Sequence, residues 1–126
     1  MKVRVRVGKS RIAGQGLFTL QNIKKDIRVM QYVGERINKA QSAKRLAQGN
    51  AYIFTFSAQY DIDGKVLGNA ARYINHSCAP NCAVDMTRRS IWIVAIAHSA
   101  LRADSWNINL FLRDRLVGRL IHMCLV

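Results

Sequence analysis

The chain has 126 residues, half of them hydrophobic, and carries 20 Lys and Arg against 7 Asp and Glu, a formal charge of +13. That length suits one domain able to bury a core without crosslinks, and the apolar half argues against disorder. No apolar run approaches the roughly 18 residues of a membrane-spanning helix, so no membrane role is expected.

Lys2 to Val7 alternate basic and apolar residues, the pattern of a half-buried strand with a basic outer face. Gly8-Lys9-Ser10 reads as a turn, and Ala13 to Phe18 as a glycine-rich bend leading into apolar residues. Ile27 to Val33 is a second strand, closed by Gly34-Glu35. Asn38 to Gln48 has the spacing of a short amphipathic helix, with Gly49 placed to end it. Tyr52 to Phe56 and Gln59 to Gly64 read as strands, the latter ending in the Asp63-Gly64 turn. Leu67 to Ile74 reads as a short helix or irregular turn, and Ser90 to Ile96 as a strong strand. Asn109 to Ile121 has the pattern of a basic amphipathic helix. Many short strands, one short helix and frequent turns predict a β-rich α+β domain.

The three cysteines, Cys78, Cys82 and Cys124, are an odd number. The basic start Met-Lys-Val-Arg-Val-Arg-Val lacks the apolar stretch of a secretory signal. Reduced thiols and an intracellular protein are the expectation. His76 beside Cys78 and Cys82 falls short of the four ligands of a structural zinc site, so no metal is expected. Asp61 and Asp63 read either as paired acid-base carboxylates or, with Gly64 following, as turn residues. The charge excess attracts nucleic acid, anionic membrane or acidic protein. A basic surface with no specific polyanion is the plain alternative.

Several segments together resemble the SET-domain family of protein-lysine methyltransferases. Gly14-Gln15-Gly16-Leu17-Phe18 is similar to its early Gly-x-Gly turn, and Tyr32-Val33-Gly34-Glu35-Arg36-Ile37 to its Tyr-x-Gly-Glu-x-Ile strand end. Asp61 to Gly64 with Gly68-Asn69 resembles the stretch before the family signature. Arg72-Tyr73-Ile74-Asn75-His76-Ser77-Cys78-Ala79-Pro80-Asn81-Cys82 resembles the signature itself, and Ile91 to Ala95 the strand that follows. A lone Gly-x-Gly is weak evidence; the eleven-residue signature in order with the others is strong.

The resemblance implies a SET-domain fold of several short curved sheets with one short helix, and S-adenosylmethionine as cofactor. It implies that the backbone from Gly14 through Gly16 and Leu17 to Phe18 cradles the methionine end. Asn75 and His76 are implied to reach the adenine and amino-acid portions, with Arg72 and Tyr73 flanking the pocket. Tyr52 is core or, alternatively, lines a lysine channel. The implied reaction moves a methyl group to a lysine of a protein substrate, histone-like or otherwise basic. A nucleic-acid contact through basic faces is the alternative role. The implied location is cytoplasmic for a bacterial protein and nuclear or chromatin-associated for a eukaryotic one.

The resemblance covers residues 1–96 and stops there, leaving 97–126 as a non-matching basic tail. A family member continues with a Gly-Glu-Glu-Leu strand and a catalytic tyrosine. Here Ala97-His98-Ser99-Ala100 follows, and no tyrosine occurs after Tyr73. The C-terminal part is therefore expected to be atypical or incomplete, the signature to lack its partner strand, and the catalytic residue to be unknown. The abruptness of the change points to a shifted reading frame near Ile96 and Ala97.

Overall fold

The computed structural model describes residues 2–10, 14–77, 79–100 and 108–113. Its elements run β1 (Val5–Lys9), β2 (Gln15–Thr19), β3 (Arg28–Tyr32), β4 (Glu35–Asn38), α1 (Lys39–Ala47), β5 (Ile53–Thr55) and β6 (Tyr60–Asp63). A 3-10 turn (Ala70–Tyr73) follows, then β7 (Asn75–His76), β8 (Cys82–Met86), β9 (Ile91–Ala95) and β10 (Ile108–Leu112). The fold is β-rich with one α-helix among the described residues, as the sequence predicts.

Among the described residues two sheets carry the fold. The larger has strand order β1-β2-β10-β8-β9-β3, with β7 pairing β10 from the side. The smaller has the order β4-β6-β5. Alternation decides which face of the large sheet is buried. In β9, Ile91, Ile93 and Ala95 are buried, whereas Trp92 and Val94 are half-exposed. Leu17, Tyr32, Phe54, Ile74, Cys82, Leu110 and Leu112 complete the same core.

Helix α1 begins with a reciprocal cap. The Gln41 N–H donates to Asn38 Oδ1 at 2.8 Å, and the Asn38 N–H donates to Gln41 Oε1 at 2.9 Å, which satisfies two otherwise orphan donors. Ion pairs tie the helix to the small sheet. Arg45 donates to Glu35 and Asp63 at 2.7 and 2.8 Å, and Lys39 to Asp61 at 2.5 Å. The turn beyond β3 is tight: a Cβ on Gly34 would lie 2.1 Å from the Asp63 carbonyl oxygen.

The expected strand at residues 2–7 starts three residues later and ends two later, and the expected bend at 13–18 is largely β2. β4 has one buried apolar residue, Ile37, and β8 buries the adjacent pair Cys82 and Ala83 without alternation, so neither shows the period of a strand in the sequence. The helix expected over Asn109 to Ile121 is corrected at its start, because residues 108–112 form β10. Leu110 and Leu112 are nearly fully buried between β2 and β8, and that packing outweighs a helical pattern. Residues 114–121 of that expectation lie outside the described residues.

Candidate functional site

The glycine turn and the signature meet. Gly14 has φ +44°, a left-handed conformation natural to glycine, and nothing lies within 4 Å of where its Cβ would be. One side of the turn is therefore bare backbone. Gly16 faces the closed side, where a Cβ would stand 3.0 Å from Ser10 Cβ and 3.5 Å from Asn75 Nδ2. The Ser10 N–H donates to the Gly14 carbonyl at 2.7 Å. Asn75 Nδ2 donates to the Gln15 carbonyl at 3.1 Å, joining positions sixty residues apart in sequence. Leu17 is fully buried in the core, and Phe18 is buried with the Arg6 guanidinium 5.5 Å from its ring centroid. From that pair, the backbone rather than the side chains is left to line the turn.

The signature grips β10. β7 runs parallel to it, with Asn75 opposite Phe111 and His76 opposite Leu112. Ser77 N–H donates to the Leu112 carbonyl at 3.3 Å, and Arg113 N–H to the Cys82 carbonyl at 2.9 Å. Asn81 binds Phe111 twice: its N–H donates to the Phe111 carbonyl at 3.2 Å, and its Oδ1 accepts from the Phe111 N–H at 2.8 Å. The Asn81 carbonyl accepts from the Ile96 N–H at 2.9 Å. The expectation of a signature without its strand is thereby corrected. The strand is present, made of Ile-Asn-Leu-Phe-Leu. The catalytic tyrosine is not in it, and the chain's four tyrosines are Tyr32, Tyr52, Tyr60 and Tyr73.

Arg72, Tyr73 and Tyr52 form one cluster. The Arg72 guanidinium lies 4.7 Å from the Tyr73 ring centroid and 5.6 Å from that of Tyr52, and donates to the Tyr73 hydroxyl at 2.6 Å. The 3-10 turn that carries Arg72 packs against β1, β2 and β3, which sets this cluster beside the strand of the glycine turn. Tyr52 is half-buried, and its carbonyl accepts from the Tyr32 hydroxyl at 2.8 Å and the Gly64 N–H at 2.8 Å. Behind it, buried Asn69 donates to the Gly64 carbonyl and accepts from the Val33 N–H. His76 is half-buried beside β10.

The acids of the small sheet are committed to structure. Asp61 accepts from Lys39. Asp63 accepts from Arg45, Asn50 and the Lys65 N–H. Burial pushes the Asp63 carboxyl up, but those three donors outweigh it and hold it below its ordinary value. The Glu35 carboxyl is also lowered, by its hydrogen bond and charge interaction with Arg45. Asp61 is an ion-pairing residue inside β6, and Asp63 is an ion-pairing residue that also holds the turn after the strand. Burial pushes the Cys82 thiol up to about 12, so it behaves as a small packed residue rather than a nucleophile or ligand. Among the described residues no three His, Cys, Asp or Glu gather as metal ligands; Cys78 and Cys124 lie outside them. Sequence reasoning assigned no role to Asn81, although the signature contains it.

A family model described as the SET domain matches residues 14–100. The H3 lysine-4 specific histone-lysine N-methyltransferase of Schizosaccharomyces pombe is 39% identical over 93 residues, covering 69% of this chain and 10% of that protein. Histone-lysine N-methyltransferase SETD1A of Homo sapiens is 40% identical over 87 residues, covering 64% of this chain and 5% of that protein. The chain therefore spans a tenth or less of the length of these two relatives. A solved structure of ctPRC2 in an autoinhibited conformation bound to S-adenosylmethionine matches with a TM-score of 0.73 and 26% identity, covering 89% of this chain and 15% of that one.

Proposed function

We propose, since the chain belongs to the SET-domain family, that it is the methyl-transfer domain of an S-adenosylmethionine-dependent protein-lysine methyltransferase. S-adenosylmethionine is the methyl donor of this family. The observation that carries the reading is the Asn75–Gln15 hydrogen bond, which closes the glycine turn onto the signature. The residues at that junction fit the cofactor: bare backbone at Gly14, polar groups on Asn75 and His76, and the Arg72–Tyr73 face. The backbone of Gly14, Gly16, Leu17 and Phe18 would hold the methionine end, and Asn75 and His76 the adenine and amino-acid portions.

When bound, the cofactor supplies a methyl group on a positive sulfonium. The chain's own task is to position the acceptor and exclude water. Tyr52 is the candidate wall of a lysine channel. An apolar channel lowers the acceptor lysine's pKa and helps it shed its proton. A histone-like protein is the proposed substrate, because the relatives are named histone-lysine N-methyltransferases. A nuclear, chromatin-associated setting follows from that substrate.

One observation favours a second reading. β10 and the chain beyond it contain no tyrosine, so no phenol is available where the family places its catalytic one. This version is a domain that binds cofactor without transferring methyl groups. Calorimetry with S-adenosylmethionine, paired with methyl transfer to a mixed histone panel, separates the two. Binding with transfer that His76→Ala abolishes supports the enzyme. Binding without transfer supports the silent domain, and no binding sinks both. The shifted-frame reading of residues 97–126 has its own test: another frame downstream of codon 96 must encode Gly-Glu-Glu-Leu and an aromatic pair. If neither frame does, the segment is a genuine replacement.

A further inference from the structure

Charge is unevenly distributed over the fold. The acids of the small sheet, Glu35, Asp61 and Asp63, are each paired with a cation of α1. Asp85 on β8 is paired with Arg28 on β3. The first 25 residues contain no acid at all and carry Lys2, Arg4, Arg6, Lys9, Arg11, Lys24 and Lys25.

The geometry of β1 turns that excess into a stripe. Among the described residues β1 is the edge strand of the large sheet and pairs with β2. Val3 is buried and Val5 and Val7 are half-buried, so Lys2, Arg4 and Arg6 stand exposed in one row; Lys9, also exposed, falls on the valine side of the alternation at the end of the strand. Side chains of β2 and of the turn after it hold the backbone at Arg4. The Thr19 hydroxyl donates to the Arg4 carbonyl at 2.9 Å, and the Arg4 N–H donates to Gln21 Oε1 at 2.9 Å. Arg6 is fixed above Phe18. The turn beyond Gln21 adds Lys24 and Lys25, with Asp26 the first acid in the chain. Successive outward residues of a strand repeat at about 6.6 to 6.8 Å, and a row of cations at that pitch suits a polymer of regularly spaced phosphates better than an irregular acidic protein surface.

We propose that the β1 edge is a phosphate-contacting surface for duplex DNA, bound without base readout. Its biological setting rests on the chromatin reading above, but its physics does not depend on the cofactor site. Three contacts, from Lys2, Arg4 and Arg6, give a slope of about −3 in log affinity against log salt.

The test measures anisotropy of a labelled 20-base-pair duplex between 50 and 200 mM salt, a range chosen from the salt sensitivity of phosphate contacts. Lys2→Gln with Arg4→Gln is expected to reduce the slope by about 2, one unit per lost contact. Lys2→Arg with Arg4→Lys is expected to retain it. Lys44→Gln with Lys65→Gln, in the region where acids and bases pair, is expected to leave it unchanged. An unaltered slope in the first pair, an equal loss in the third, or preferential binding to phosphatidylserine vesicles overturns the proposal. S-adenosylmethionine calorimetry on the same variants separates this outcome from failure of the cofactor site.

Discussion

Gly34 shows how one missing methyl group positions the small sheet. A Cβ there would meet the Asp63 carbonyl oxygen at 2.1 Å and its carbon at 2.7 Å. Both are backbone atoms, so no side-chain rotation relieves the clash. Gly34→Ala is expected to cost about 3 kcal/mol, the upper part of the overpacking range, measured by urea unfolding. Asp63 makes a prediction with a sign. Its folded value lies below the ordinary 3.8. The stability it contributes is therefore complete above 3.8 and is lost as pH falls through the folded value. Glu35, ordinarily 4.5, behaves the same way. Urea stability should hold from neutral pH to about the ordinary carboxylate range and decline below it. Arg45→Gln removes a donor from both carboxyls and should flatten that acid decline. An unchanged pH profile in Arg45→Gln would show that the pairing contributes nothing.

At the scale of elements, the signature and β10 form a single unit. Asn81 is its clasp, through a side-chain acceptor and a backbone donor to Phe111. Asn81→Ala leaves the Phe111 N–H without that partner and is expected to cost about 1–3 kcal/mol, with weakened S-adenosylmethionine affinity in the same preparation. Asn81→Asp keeps the acceptor and should lose less of both. An equal loss in the two variants would point to packing rather than to the hydrogen bond. The elements that sequence reading found are those with strong periodicity of their own: α1 with its Asn38 cap, β9 with Ile91, Ile93 and Ala95, and the β5–β6 pair. Those it missed are made by neighbours. β2 contains Gly16 and is a strand because β1 and β10 flank it. β10 is a strand because β2, β7 and β8 surround it. Local pattern carries no record of partners that are distant in sequence.

For the whole molecule, the candidate site was legible because its residues lie in contiguous motifs. Gly14, Gly16, Asn75 and His76 stand out in the sequence, and the Asn75–Gln15 bond joins the two motifs. What could not be read was the clamp on residues 111–113, since nothing in Leu-Phe-Leu-Arg announces a partner for Asn81. Nor could the partition of charge be read from a total of +13. It appears only when Lys39 and Arg45 are seen to neutralise the small sheet while the β1 edge is left basic.

The position of β10 has a consequence for how this protein is made. It lies between β2 and β8, yet it is the last described strand to be synthesised. While the ribosome is still reading toward codon 112, β2 and β8 face each other with an unfilled slot, and Leu17 and Cys82 lack their apolar neighbours Leu110 and Leu112. The sheet cannot close as the chain emerges strand by strand, and the hydrogen bonds of Ser77 and Asn81 must wait for residues 111 and 112. Such dependence on late, long-range pairing slows folding and prolongs exposure of unpaired edges. A nascent chain stalled before Ile108 would expose those unpaired edges and be a substrate for chaperones.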